Sequence, residues 1–158
     1  MKRIILTAIV SLFAISAIAQ VSNEDLAIIQ AKFKKDKKEL IKQAMQLSDA
    51  QGQAFWPIYD EYETKRQELS ATRAGIINDY LKKYNTLTDE EATDLVKRTL
   101  ENDSENTKLQ KTYLKKIEGV VGGKNAAKFY QLESYLQSNI RMSVQDNIPF
   151  IGELKAKQ

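Results

Sequence analysis

Between Leu47 and Tyr84 the large apolar residues fall at 55, 59, 62, 69, 76, 80 and 84, and Arg66 and Arg73 occupy the two missing beats. Alternating steps of four and three predict a single long helix with one buried seam. At about 1.5 Å per residue it would be roughly 55 Å long, the spine for the rest of the chain. Ser48 is a good N-cap, and Gln51 three residues later completes a capping box. Pro57 lies beyond the first turn and predicts a kink near the carbonyl of Gln53.

Three further helices follow from the same pattern. Ser22 to Met45 carries Leu26, Ile29, Phe33, Leu40 and Ala44 on one stripe, which breaks at Asp36 and Lys37, so this helix is expected to be anchored at its ends. Asn85-Thr86-Leu87 is a short connection, which makes the next helix an antiparallel neighbour. That helix starts on a second capping box, Thr88 with Glu91, and runs through Leu95, Thr99, Asn106, Leu109, Tyr113 and Ile117. The polar run Glu101 to Asn106 interrupts its seam and is expected to be exposed or bent, and Gly119 with Gly122-Gly123 stops it. The last helix, Lys124 to about Asn147, places Ala126, Phe129, Leu132 or Glu133, Leu136, Ile140 and Val144 on its stripe. Pro149 ends it, Phe150-Ile151 fold back onto the bundle, and 152–158 is a flexible tail. No run has the β-rich alternation of a strand. The expected fold is all-α: four long helices in an elongated antiparallel hairpin or bundle, completed by dimerisation.

The N-terminus changes what counts as the domain. Lys2 and Arg3, the apolar run Ile4 to Ile15 and Ala17-Ile18-Ala19 read as a signal peptide over 1–19, cleaved near Ala19-Gln20. This leaves 20–151 as one helical domain, periplasmic or secreted, with no cysteine after the cleavage site to carry a lipid. The chain has no cysteine and no histidine, which excludes disulfides, thiolate chemistry, imidazole bases and the usual zinc or copper sites. Of 24 basic and 21 acidic side chains, loss of Lys2 and Arg3 leaves an excess of one, a balance unlike that of a nucleic-acid binder.

No chemistry stands out. Asp60, Glu61 and Glu63, like Asp89, Glu90 and Glu91, read as solvated faces or helix-dipole partners, so neither catalysis, metal nor cofactor is expected. The candidate binding surface combines Lys34, Lys35, Lys37 and Lys38 with Trp56, Tyr59 and Tyr62. Its basic part suits unfolded acidic chains or weak contact with an anionic membrane surface, and its aromatic part suits apolar contact. The plainer account makes the lysines a solvated face and the aromatics core or dimer packing. Residues 88–106 hold seven acids and two bases, whereas 108–128 hold six lysines and one acid, a separation that favours antiparallel or head-to-tail pairing between molecules.

Leu47-Ser48-Asp49-Ala50-Gln51 and Leu87-Thr88-Asp89-Glu90-Glu91 share the form L-[ST]-D-x-[QE]. Recurrent capping boxes account for the echo equally well. In an exported, cysteine-free helical chain these motifs resemble the Spy/CpxP-like periplasmic proteins, the LTxxQ family. Leu47, Ser48 and Gln51 fit with serine for threonine; Leu87, Thr88 and Glu91 fit with glutamate for glutamine. The blocks FWPIYDEYE (55–63) and KFYQLE (128–133) also look like secreted helical proteins near that family. The resemblance implies an antiparallel, cradle-like homodimer that binds unfolded or envelope-stress proteins without ATP, or a periplasmic partner of a stress sensor. A purely structural helical dimer is the remaining alternative.

Overall fold

A computed structural model describes residues 37–151. Four helices follow in order: α1, described over 37–45; α2, Asp49–Lys83; α3, Asp89–Val121; and α4, Gly123–Gln145. Compact packing divides the chain between Lys38 and Glu39, and the fold below is that of the unit that begins at Glu39. α2 packs antiparallel to α3 and α3 antiparallel to α4, with no strand among the described residues.

The helix starts form as the motifs predict. Ser48 accepts from the Gln51 N–H while the Gln51 side chain returns to the Ser48 N–H, and Thr88 and Glu91 repeat the arrangement. Each box satisfies two of the N–H groups that a helix start leaves open. α2 continues unbroken through Pro57. α3 runs past Gly119 and ends only at Val121. Gly122, at φ +80° and ψ 162°, donates its N–H to the Glu118 carbonyl at 2.9 Å, and its own carbonyl accepts from Ala126 at 3.0 Å. That backbone region is open almost only to glycine, so one residue closes α3 and opens α4.

Cross-helix pairs fix the register of the hairpin. Glu61 meets Lys116 at 3.2 Å, Arg73 meets Asp103 at 2.8 Å, Asp79 meets Arg98 at 2.8 Å and Lys83 meets Glu91 at 2.6 Å. The core lies towards the α3–α4 turn. Ile41 and Met45 of α1, Phe55, Tyr59 and Tyr62 of α2, Tyr113, Ile117 and Val121 of α3, and Ala126 and Phe129 of α4 form one cluster. Phe129 inserts among three rings, 5.6 Å from Phe55, 6.1 Å from Tyr59 and 5.9 Å from Tyr62, all edge-on. Such pairs add about 0.5–1.5 kcal/mol each beyond the apolar area they bury.

Several sequence expectations are corrected here. The buried face of α1 in this unit carries Ile41 and Met45, one position on from the expected Leu40 and Ala44, and Leu40 is exposed. The polar run in α3 is neither wholly exposed nor an interruption: Asn102 is buried and donates to the Leu69 carbonyl of α2 at 2.9 Å, so a polar contact replaces an apolar one in the seam. On α4 the buried alternative is Glu133, and Val144 is exposed. Phe150 and Ile151 do not bury their side chains; the backbone alone folds back, its carbonyls at Pro149 and Phe150 accepting from Tyr80 Oη at 2.7 Å and Tyr84 Oη at 3.1 Å. Leu26, Ile29, Phe33, the signal peptide and the tail 152–158 lie outside the described residues.

Candidate functional site

The expected binding surface is dispersed. Lys34 and Lys35 lie outside the described residues, Lys37 is fully buried and Lys38 half-buried. Trp56 is half-buried, edge-on to Phe55 at 5.0 Å and to Tyr59 at 5.5 Å. Tyr59 and Tyr62 are each 1% exposed and belong to the core, so a surface role for them and for Lys37 is withdrawn. The reason is phase: residues 55, 59 and 62 form the α2 seam, which core side chains of α1, α3 and α4 cover together. Of the motif residues, Ser48, Gln51, Thr88 and Glu91 are spent on capping; Leu47 packs against the core, and Leu87 is half-buried.

The core instead holds a polar cluster. Arg66 clasps Glu63 with two bonds, Nε to Oε2 at 2.9 Å and Nη2 to Oε1 at 2.6 Å, and donates from Nη1 to Ser70 at 3.1 Å. Glu133 of α4 accepts from Tyr62 Oη at 3.0 Å and from Gln137 at 2.9 Å, with Arg66 Nε at 3.9 Å. Glu63 and Glu133 are buried, not solvated as Glu63 was expected to be. Burial, reinforced by the neighbouring carboxylates, pushes the Tyr59 and Tyr62 phenols far above their ordinary value and keeps both neutral. The adjoining crevice, lined by Tyr62, Gln110, Tyr113, Leu114, Phe129, Tyr130 and Glu133, measures about 10 Å³, room for one water. The cluster ties α4 to α2. Its signal in the sequence was Arg66 on an apolar beat and Glu133 on the α4 stripe; Glu63, three residues before Arg66, was the partner to look for.

A second polar clasp sits further along. Asp103 Oδ1 of α3 accepts from Arg73 of α2 and from Arg141 of α4, each at 2.8 Å, so one carboxylate links three helices. At the surface, Lys116 lies 4.5 Å and Lys65 5.7 Å from the Tyr113 ring centroid, and both reach Glu61, at 3.2 and 3.4 Å. The Tyr113 hydroxyl, then the ammonium groups of Lys116 and Lys65, hold the Glu61 carboxyl down at about 2.

What faces solvent is α4. Lys124, Lys128, Gln131, Tyr135, Ser138 and Met142 recur in steps of four and three on the side away from the core, and all are exposed, Tyr135 by 66% and Met142 by 60%. Among the described residues no helix is long and apolar enough to cross a membrane, and no group of acidic side chains is arranged to hold a metal ion. No family model, no curated protein and no solved structure matches the chain.

Proposed function

We propose that this chain is an exported, non-enzymatic protein that binds other polypeptides without ATP, in the chaperone-like manner that the Spy/CpxP-like resemblance implies. The observation that carries the reading is the outward stripe of α4. It is a second periodic face, with two lysines at one end and an exposed tyrosine and methionine beyond them. Basic charge attracts a partner from a distance, and a polarizable, flexible Met with an amphipathic Tyr adapts to many apolar surfaces. The mixed basic and aromatic surface expected on the first two helices is thus proposed for α4. The polar core supports this role, since a buried hydrogen bond from Tyr62 and an ion pair from Arg66, both to Glu133, link α2 to α4 and hold the displayed face in place.

The test is suppression of aggregation by the mature chain, residues 20–158, with several unrelated proteins diluted from denaturant. Wild type suppresses aggregation at equimolar ratio. Tyr135→Ser with Met142→Ser weakens suppression at every salt concentration, while Lys124→Gln with Lys128→Gln weakens it chiefly at low salt, because steering by charge is screened. If no client is protected the chaperone reading fails. Capture of one envelope protein through the same face would put the sensor-adaptor in its place, and binding only to anionic vesicles would move the reading to the membrane surface.

A further inference from the structure

We propose that the polypeptide bound on the outward stripe of α4 is an amphipathic helix lying parallel to α4. Acidic residues of its first turns sit over Lys124 and Lys128, and basic residues of its last turn sit beside Asp146. Such a partner rests on the polypeptide-binding reading of this face and gives it a shape, a charge order and a direction. The stripe steps by alternating fours and threes from Lys124 to Met142, and the exposed Asp146 follows four residues on. That spacing is the seam of two helices packed side by side at a small crossing angle, whereas an extended chain repeats every two residues. At about 1.5 Å per residue the seam is roughly 33 Å long.

Charge selects this partner. α2 and α3 carry the usual order for a helix: Asp49 opens α2, which closes on Lys82 and Lys83, and Asp89, Glu90 and Glu91 open α3. α4 reverses it. Its first turn holds Lys124 and no acid, its last turn holds no base, and Asp146 caps its end. Both charges oppose the helix's own dipole, so they cost α4 stability. Glu118 of α3 serves the head of α4 instead, its Oε1 3.6 Å from where a methyl group on Gly123 would stand. Among the described residues Lys124, Lys128 and Asp146 form no ion pair. Between Lys128 and Asp146 the stripe is uncharged, because Glu133 lies in the core and Arg141 turns to Asp103.

An ordinary amphipathic helix matches this face in one direction. Acids gather in its first turn and lysines or arginines in its last, where its own dipole favours them. Laid parallel to α4, such a helix brings its acids to Lys124 and Lys128 and its bases to Asp146. Its apolar stripe then meets Tyr135 and Met142. Turned end for end, it sets base against Lys124 and acid against Asp146, and like charges repel. Because this charge order is the common one among helices, the face takes many sequences while fixing their direction. An adaptable Met and an amphipathic Tyr in the middle suit that breadth.

Synthetic peptides test it on the mature chain. Affinity is read from fluorescence anisotropy at low salt, and direction from a photo-cross-linking residue at the head of the peptide, whose attachment point is located by mass. A peptide of about six turns carries glutamate in its first two turns, leucine at steps of four and three, and lysine in its last turn. It binds, and its head joins α4 within a turn or two of Lys124. The same peptide with two central prolines binds about tenfold more weakly or worse. Lys124→Glu, Lys128→Glu and Asp146→Lys together turn the charges of α4 round. Circular dichroism shows this variant helical, and the head of the peptide now joins near Met142. Equal binding of the proline peptide overturns the proposal. So does a head that joins both ends of α4 alike, or one that stays near Lys124 in the charge-reversed variant. Failure of every peptide to bind, while aggregation of unfolded clients is still suppressed, overturns the helical partner alone. Failure of both overturns the polypeptide-binding reading with it.

Discussion

The hydroxyl of Tyr62 donates to Oε1 of Glu133 at 3.0 Å, inside the core and across 71 positions of sequence. Arg66 stands beside both carboxylates, bonded to Glu63 and 3.9 Å from Glu133. One guanidinium thus serves two buried acids. Removing it takes this cation from both and leaves buried carboxylates held by neutral donors, whereas removing the phenol leaves Glu133 both Arg66 and its Gln137 partner. Arg66→Met is therefore expected to lower stability by about 3–5 kcal/mol and Tyr62→Phe by about 1–2 kcal/mol, read from urea unfolding at neutral pH. Equal losses would contradict this account of the cluster.

Asp103 predicts a smaller effect. Its partners Arg73 and Arg141 are 25% and 40% exposed as side chains, so solvent screens both pairs. Asp103→Asn should cost about 1 kcal/mol or less. A double-mutant cycle with Arg141→Met should show that most of this loss disappears once either partner is gone.

Two glycines should respond to alanine in opposite directions. Neither has an atom within 4 Å of a built methyl group, so backbone conformation alone decides. Gly122 sits at φ +80°, and Gly122→Ala is expected to destabilise by about 1–3 kcal/mol. Gly75 lies within α2, and Gly75→Ala should stabilise by about 0.5–1 kcal/mol. Thermal midpoints of the two variants against wild type decide the matter.

Acid should act on Glu61. Its carboxyl titrates at about 2, below the ordinary 4.5, so its contribution is full above pH 4.5 and disappears as pH falls through about 2. The thermal midpoint of Glu61→Gln should lie below that of wild type at neutral pH, and the gap should close between pH 4.5 and 2. A gap that persists at the acid end would mean that Glu61 acts through contact and not through charge.

The helices themselves were legible in the chain. Seams at 55, 59 and 62 and at 113 and 117, the two capping boxes and the glycine stop are local signals, because helix periodicity and the satisfaction of terminal N–H groups depend on neighbours within one turn. The sequence also marked where local rules fail, at Arg66 in an apolar seam and at the choice between Leu132 and Glu133. It did not say which helix covers which face. Packing decided that: side chains of α1, α3 and α4 close over the α2 seam and draw Tyr59 and Tyr62 inside, and α4 turns Tyr135 and Met142 outwards. Packing also made Asn102, Glu63 and Glu133 interior residues, since their partners lie 33, 3 and 71 positions away and only the first and last span helices. A buried polar group is tolerated where a partner meets it, and for contacts between helices only the tertiary fold brings the partner there.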